Sequence, residues 1–168
     1  MRRTILIFST GIILGAAAGF AAAIFAYPFI FLDDIVAAEK LEDGAARQLA
    51  ARGSFIHANP RDPIHYGSGT VTVYRDLVRL ETDFRVGPGP KYHVYLVPER
   101  GITPQTAVPT TKYVDLGRLK AFSGSQNYAL PSGVDAAAYD SVVIWCEQFG
   151  VLISPAELRK VTPSGAGS

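Results

Sequence analysis

Ser141-Val142-Val143-Ile144-Trp145-Cys146, followed after Glu147-Gln148 by Phe149-Gly150-Val151-Leu152-Ile153-Ser154, is the stretch whose reading decides the fold. Both segments are rich in Val, Ile and aromatic residues, which suit a pleated backbone. Strand alternation puts Val142, Ile144 and Cys146 on one face and Val143 and Trp145 on the other. Both faces are apolar, so the segment reads as a central strand covered on two sides.

Upstream, Gly69–Tyr74 and Leu77–Phe84 read as two strands joined tightly at Arg75-Asp76. Gly87-Pro88-Gly89-Pro90 is a turn, Lys91–Val97 a buried strand, and Pro98–Thr111, with three prolines, a surface loop. Tyr113–Leu119 and Asn127–Leu130 are further strand candidates, and Asp135–Tyr139 suggests one helical turn. Short strands separated by turn residues imply an all-β sandwich or barrel. No helix–strand alternation supports a nucleotide-binding α/β fold. Two flanks differ. Ile35, Val36, Ala38, Leu41, Ala45 and Leu49 recur near helical spacing, so residues 33–51 read as a juxtamembrane helix, or stalk. The Ser/Gly-rich end, 161–168, reads as a disordered tail, leaving 52–160 as the globular domain.

Thr4–Leu32 is 29 residues without a charge. A helix of that length reaches about 43 Å, against a hydrocarbon core of about 30 Å. Residues 1–32 therefore read as a single-pass signal-anchor that meets the lipid bilayer through 4–32. Cleaved signal peptides have shorter apolar cores, which favours an uncleaved anchor. Arg2 and Arg3 precede the run and Asp33 and Asp34 follow it. By the positive-inside rule the N-terminus is cytoplasmic and the domain periplasmic or extracellular. Gly11, Gly15 and Gly19 recur every four residues, a spacing compatible with a helix-mediated homodimer.

The chain has 168 residues with 16 basic and 15 acidic side chains, a net charge of +1. That balance offers no clustered basic surface for nucleic acid. There is no phosphate-binding Gly-rich loop, no His-Glu-x-x-His zinc motif and no Gly-x-Ser-x-Gly nucleophile elbow. A hydrolase reading lacks its nucleophile, base and orienting residue. One cysteine and three histidines remain as candidates for chemistry. Cys146 on a central strand reads first as a small buried hydrophobe with an inert thiol. Its position at the strand end, beside Glu147 and Gln148, leaves open a soft sulfur ligand or redox centre. Two His and one Cys would make a copper set, although the usual axial Met is absent from the domain. His93, between Tyr92 and Val94, reads as a packed strand residue, and His57 and His65 as solvated loop residues.

In order along the chain stand Gly53-Ser54-Phe55, His65-Tyr66-Gly67-Ser68-Gly69-Thr70-Val71, Leu80-Glu81-Thr82-Asp83-Phe84 and Gly89-Pro90-Lys91-Tyr92-His93-Val94-Tyr95-Leu96. Then come Val114-Asp115-Leu116-Gly117-Arg118-Leu119-Lys120, Gly124-Ser125-Gln126-Asn127-Tyr128-Ala129-Leu130-Pro131, and Tyr139-Asp140-Ser141 running on through Cys146 to Leu158. This ordered set resembles the DM13 domain family. The resemblance implies a β-sandwich-like domain outside the cytoplasm, acting in electron transfer. It implies that Cys146 is the redox-active or cofactor-ligating residue, with His65 at the family's histidine position. Trp145, beside the cysteine, joins them as a candidate. Haem or copper is the cofactor this would admit; a redox protein or a small ligand is the partner. The departure is Lys91, where the family pattern carries Asp after Gly-Pro. The rival reading is a ligand-binding or adhesion module in which Cys146 is buried and structural.

Overall fold

The structure, a computed structural model, describes residues 2–31, 35–42, 44 and 46–161. The expected tail beyond Val161 lies outside these residues, as do Asp33 and Asp34. Helix α1 spans Arg2–Phe31. Its window Arg2–Ile24, of mean hydropathy 2.1, is long and apolar enough to cross a membrane. Among the described residues none buries the side chains of that window.

Apart from two single 3-10 turns, Val108–Thr110 and Ala136–Ala138, the regular structure among the other described residues is β-strand. In chain order the strands are β1 (Val36–Ala38), β2 (Leu49–Phe55), β3 (Gly67–Ser68), β4 (Thr70–Tyr74), β5 (Leu77–Leu80), β6 (Arg85–Val86), β7 (Tyr92–Val97), β8 (Val114–Arg118), β9 (Ser123–Ala129), β10 (Ser141–Cys146) and β11 (Val151–Lys160). They form an 11-stranded sheet ordered β3-β6-β9-β5-β4-β2-β11-β10-β7-β8, with β1 paired to β9. The β1–β9 pair is parallel and the others are antiparallel.

One apolar cluster takes Val86 and Tyr128 from one end of this order and Tyr92, Val94 and Leu96 from the other. The sheet therefore curls around a shared core. As the alternation in β10 requires, Val142, Ile144 and Cys146 enter this cluster. Val143 and Trp145 enter a second one on the opposite face, with Tyr95, Val97 and Leu152. There the proline-rich loop covers the sheet by inserting Ile102 and Val108. β10 is central, between β11 and β7.

The expected helix over 33–51 is not what forms among the described residues. β1 adds to the edge of β9, and β2 is inserted between β11 and β4. Helical spacing of apolar residues stabilises a helix only where a surface receives the stripe. Here the backbone instead finds open strand edges, and Ala51 becomes fully buried in the core. Glu39 fastens the segment. Its carboxylate accepts hydrogen bonds from the Asn127 N–H at 2.8 Å and the Lys120 ammonium at 2.7 Å. Its carbonyl accepts from Arg79 at 3.1 Å.

Candidate functional site

Cys146 closes β10, facing Tyr92 on β7 and Val151 on β11. It is 1% exposed. Its Sγ donates to the carbonyl oxygen of Pro90 at 3.2 Å. One residue on, the Glu147 N–H donates to the Lys91 carbonyl at 3.2 Å. The Pro90-Lys91 segment thus clamps the strand end at two points. Gly150, at φ 63°, turns the chain back, and its N–H reaches the Cys146 carbonyl at 2.8 Å. Burial pushes the thiol pKa up, and the Glu147 carboxylate pushes the same way; the N–H groups of Phe149 and Gln148 only partly offset this. At neutral pH the sulfur is held as a thiol.

His65 is committed elsewhere. Asp62 folds a turn in which one carboxylate oxygen accepts the N–H groups of Ile64 and His65, at 3.0 and 3.1 Å. Its other oxygen meets His65 Nδ1 at 2.6 Å. That side-chain bond to His65, opposed by desolvation, holds the Asp62 carboxyl down at about 2. His57 Nε2 pairs with the Asp62 carbonyl at 2.8 Å. Among the described residues neither histidine makes a hydrogen bond, ion pair or ring contact with Cys146. Tyr92 is the link between the two regions. Burial raises its phenol pKa, followed by Cys146, Asp62 and Tyr66. Tyr92 packs under the Gly-Pro turn so closely that a Cβ on Gly89 would run into its hydroxyl.

Trp145 is 6% exposed and belongs to the opposite face, so it does not join Cys146 and His65 in one site. A constellation that sequence spacing concealed lies beside it. His93 Nδ1 is 2.9 Å from Asp115 Oδ2, and Nε2 is 3.5 Å from Glu147 Oε2. One ligand atom from each of the three lies within 4.8 Å of the others, close enough to share a cation. The cluster already contains one, because Lys91 Nζ is 2.9 Å from Glu147 Oε2. Tyr95, stacked on Tyr113 at 4.3 Å, donates to Glu147 Oε1 at 2.9 Å. The Lys91 bond chiefly, then Tyr95, lowers the Glu147 carboxyl pKa. The three residues sit on β7, on β8 and after β10. Their only sequence signal was the strand position of His93, and only the pairing of β7 with both neighbours unites them.

Copper and haem fit poorly. His57 and His65 hold Asp62, His93 holds two carboxylates, and Cys146 stands apart from all three. A two-His, one-Cys set is not assembled. In front of Cys146, Pro90 and Tyr92 line a hollow of about 460 Å³ that opens between the domain and the end of α1. No histidine lines it. The sulfur lies one layer behind its wall.

A family model described as "Electron transfer DM13" matches residues 61–158, more than half of the chain. No curated protein and no solved structure matches.

Proposed function

The chain belongs to the DM13 family, and from that premise we propose that it is an electron-transfer domain, β-sandwich-like in its curled sheet, held outside the cytoplasm by an uncleaved N-terminal anchor, with Cys146 as its redox residue. The observation that carries the reading is the place of the sulfur: the one thiol of the chain sits directly behind Pro90 and Tyr92, which line the hollow at the helix end. An electron crosses one layer of side chains without nuclear contact. A bulky disulfide or peroxide does not, so the cover protects the thiol from over-oxidation. Because burial disfavours the thiolate, oxidation removes the S–H proton together with the electron. The electron goes to a one-electron acceptor, protein or small molecule, and the proton goes to solvent. His65 holds Asp62 and the turn beside Tyr92, which makes it a positioning residue in this scheme.

A second reading has its own support. Near-complete burial and the bond to Pro90 suit a structural cysteine inside a ligand-binding or adhesion module. The full chain in mild detergent separates the two. Its visible spectrum, its potentiometric response and the pH dependence of thiol modification would be compared with those of Cys146→Ala. A one-electron wave that disappears in the variant supports the redox reading. A colourless protein with no Cys146-dependent wave, whose thiol reacts only after denaturation, sinks it and leaves the binding module.

A further inference from the structure

We propose that the hollow between α1 and the sheet holds the headgroup of an anionic phospholipid drawn from the bilayer. The inference rests on reading α1 as a membrane anchor. Phe20, Ala23 and Ile24 form the helix wall of the hollow, and they end the apolar window Arg2–Ile24. If that window crosses the bilayer, the hollow opens at headgroup level.

Its chemistry is that of an amphiphile site. The volume, about 460 Å³, lies within the usual range for small-molecule sites. Leu119 and Phe122 give it an apolar wall on the domain side. Three cations line it: Lys91, Arg118 and Lys120. Lys91 is neutralised by Glu147 at 2.9 Å and Lys120 by Glu39 at 2.7 Å. The exposed guanidinium of Arg118 has no ion-pair partner among the described residues. One uncompensated positive charge matches one phosphodiester, and the guanidinium fork suits phosphate oxygens.

Tyr92 supplies a second, independent observation. Its side chain is 3% exposed, yet its hydroxyl makes no hydrogen bond to any described residue. No buried side-chain polar atom among the described residues lacks a partner. The hydroxyl is therefore not sealed in the core, and it abuts Gly89, which lines the hollow with Tyr92. It offers a donor for the headgroup at the Gly89 edge of the hollow. A free inorganic anion would use the charge and the hydroxyl but leave the apolar walls unfilled.

The test uses the full chain in mild detergent, with the helix verified intact by mass. Phosphatidylglycerol and phosphatidylcholine of identical acyl chains are titrated and followed by native mass spectrometry. Phosphatidylglycerol should bind about tenfold tighter. Arg118→Gln should remove most of that preference and Tyr92→Phe should weaken it about threefold, whereas Arg159→Gln, on β11, should leave it unchanged. Equal affinity for the two lipids, or a preference that survives Arg118→Gln, overturns the proposal. Oleate binding as tightly as phosphatidylglycerol assigns the hollow to a free carboxylate amphiphile and also overturns it. Alkaline carbonate extraction of membranes reports on the anchor alone. Release of the chain sinks the anchor reading; retention without a lipid preference sinks only the hollow.

Discussion

Cys146→Ala is the perturbation that measures how firmly the sulfur is built into the fold. The residue is 1% exposed, shares the cluster of Tyr92, Ile144 and Val151, and donates to Pro90 at 3.2 Å. Removing one buried heavy atom forfeits roughly 0.8 kcal/mol of transfer free energy. The cavity of one sulfur adds roughly 0.5 kcal/mol, since the tight turn after β10 restricts collapse. Loss of the donor to Pro90 adds about 0.5–1 kcal/mol. The total is about 2 kcal/mol, a substantial part of a typical domain's stability of about 5–15 kcal/mol. For a chain of this size that lowers Tm by about 4–8 °C. The assay is urea and thermal unfolding of the full chain in detergent, followed by the fluorescence of Trp145, the single tryptophan, which is buried on the other face of the same strand. Cys146→Ser keeps a donor for Pro90 and should recover part of the loss. If Cys146→Ala unfolds within about 0.5 kcal/mol of wild type, the sulfur neither packs nor bonds as described, and the reasoning for a covered thiol fails.

Three further outcomes follow from the geometry. The Asp62 carboxyl is depressed from 3.8 to about 2 in the folded state, so its stabilisation is complete above pH 4 and is lost as pH falls towards 2. Asp62→Asn should therefore cost about 1 kcal/mol near neutrality after solvent screening, with the gap to wild type closing in acid denaturation; a gap that stays constant down to pH 2.5 contradicts this. Glu39→Ala removes the acceptor for Lys120 and the Asn127 N–H. It should raise amide hydrogen exchange in β1 and β9 at least tenfold while leaving β10 protected, and uniform protection would refute the fastening role. Gly89→Ala places a methyl against the Tyr92 hydroxyl. It should destabilise the domain by about 1–3 kcal/mol as overpacking does, with Gly89→Ala/Tyr92→Phe recovering part of the loss. No recovery in the double variant would mean that the clash lies elsewhere.

The hydrophobic patterns legible in the sequence are those whose physical cause is local. The uncharged run Thr4–Leu32 announces helix α1 by length and composition, and the alternation of Val142–Cys146 sorts its side chains onto two apolar faces, as the clusters around Cys146 and Trp145 bear out. The ordered motifs from Gly53 to Leu158 carry the family. Strand edges were legible only to within a few residues: Gly150 at positive φ delays β11 to Val151, and the turn over Glu81–Phe84 stops β5 at Leu80. What tertiary structure alone decided is which surface receives each segment. Ile35 to Leu49 carry helical spacing, yet open edges on β9, β4 and β11 claim Val36–Ala38 and the chain from Leu49 on as strands. His65, Trp145 and Cys146 stand together as candidates in the sequence but do not form one site, because alternation sends Trp145 to the far face and Asp62 engages His65. His93, Asp115 and Glu147 are far apart in sequence and meet because β7 lies between β8 and β10. Local periodicity sets what a segment can bury, and the pairing of distant strands sets what it meets when buried.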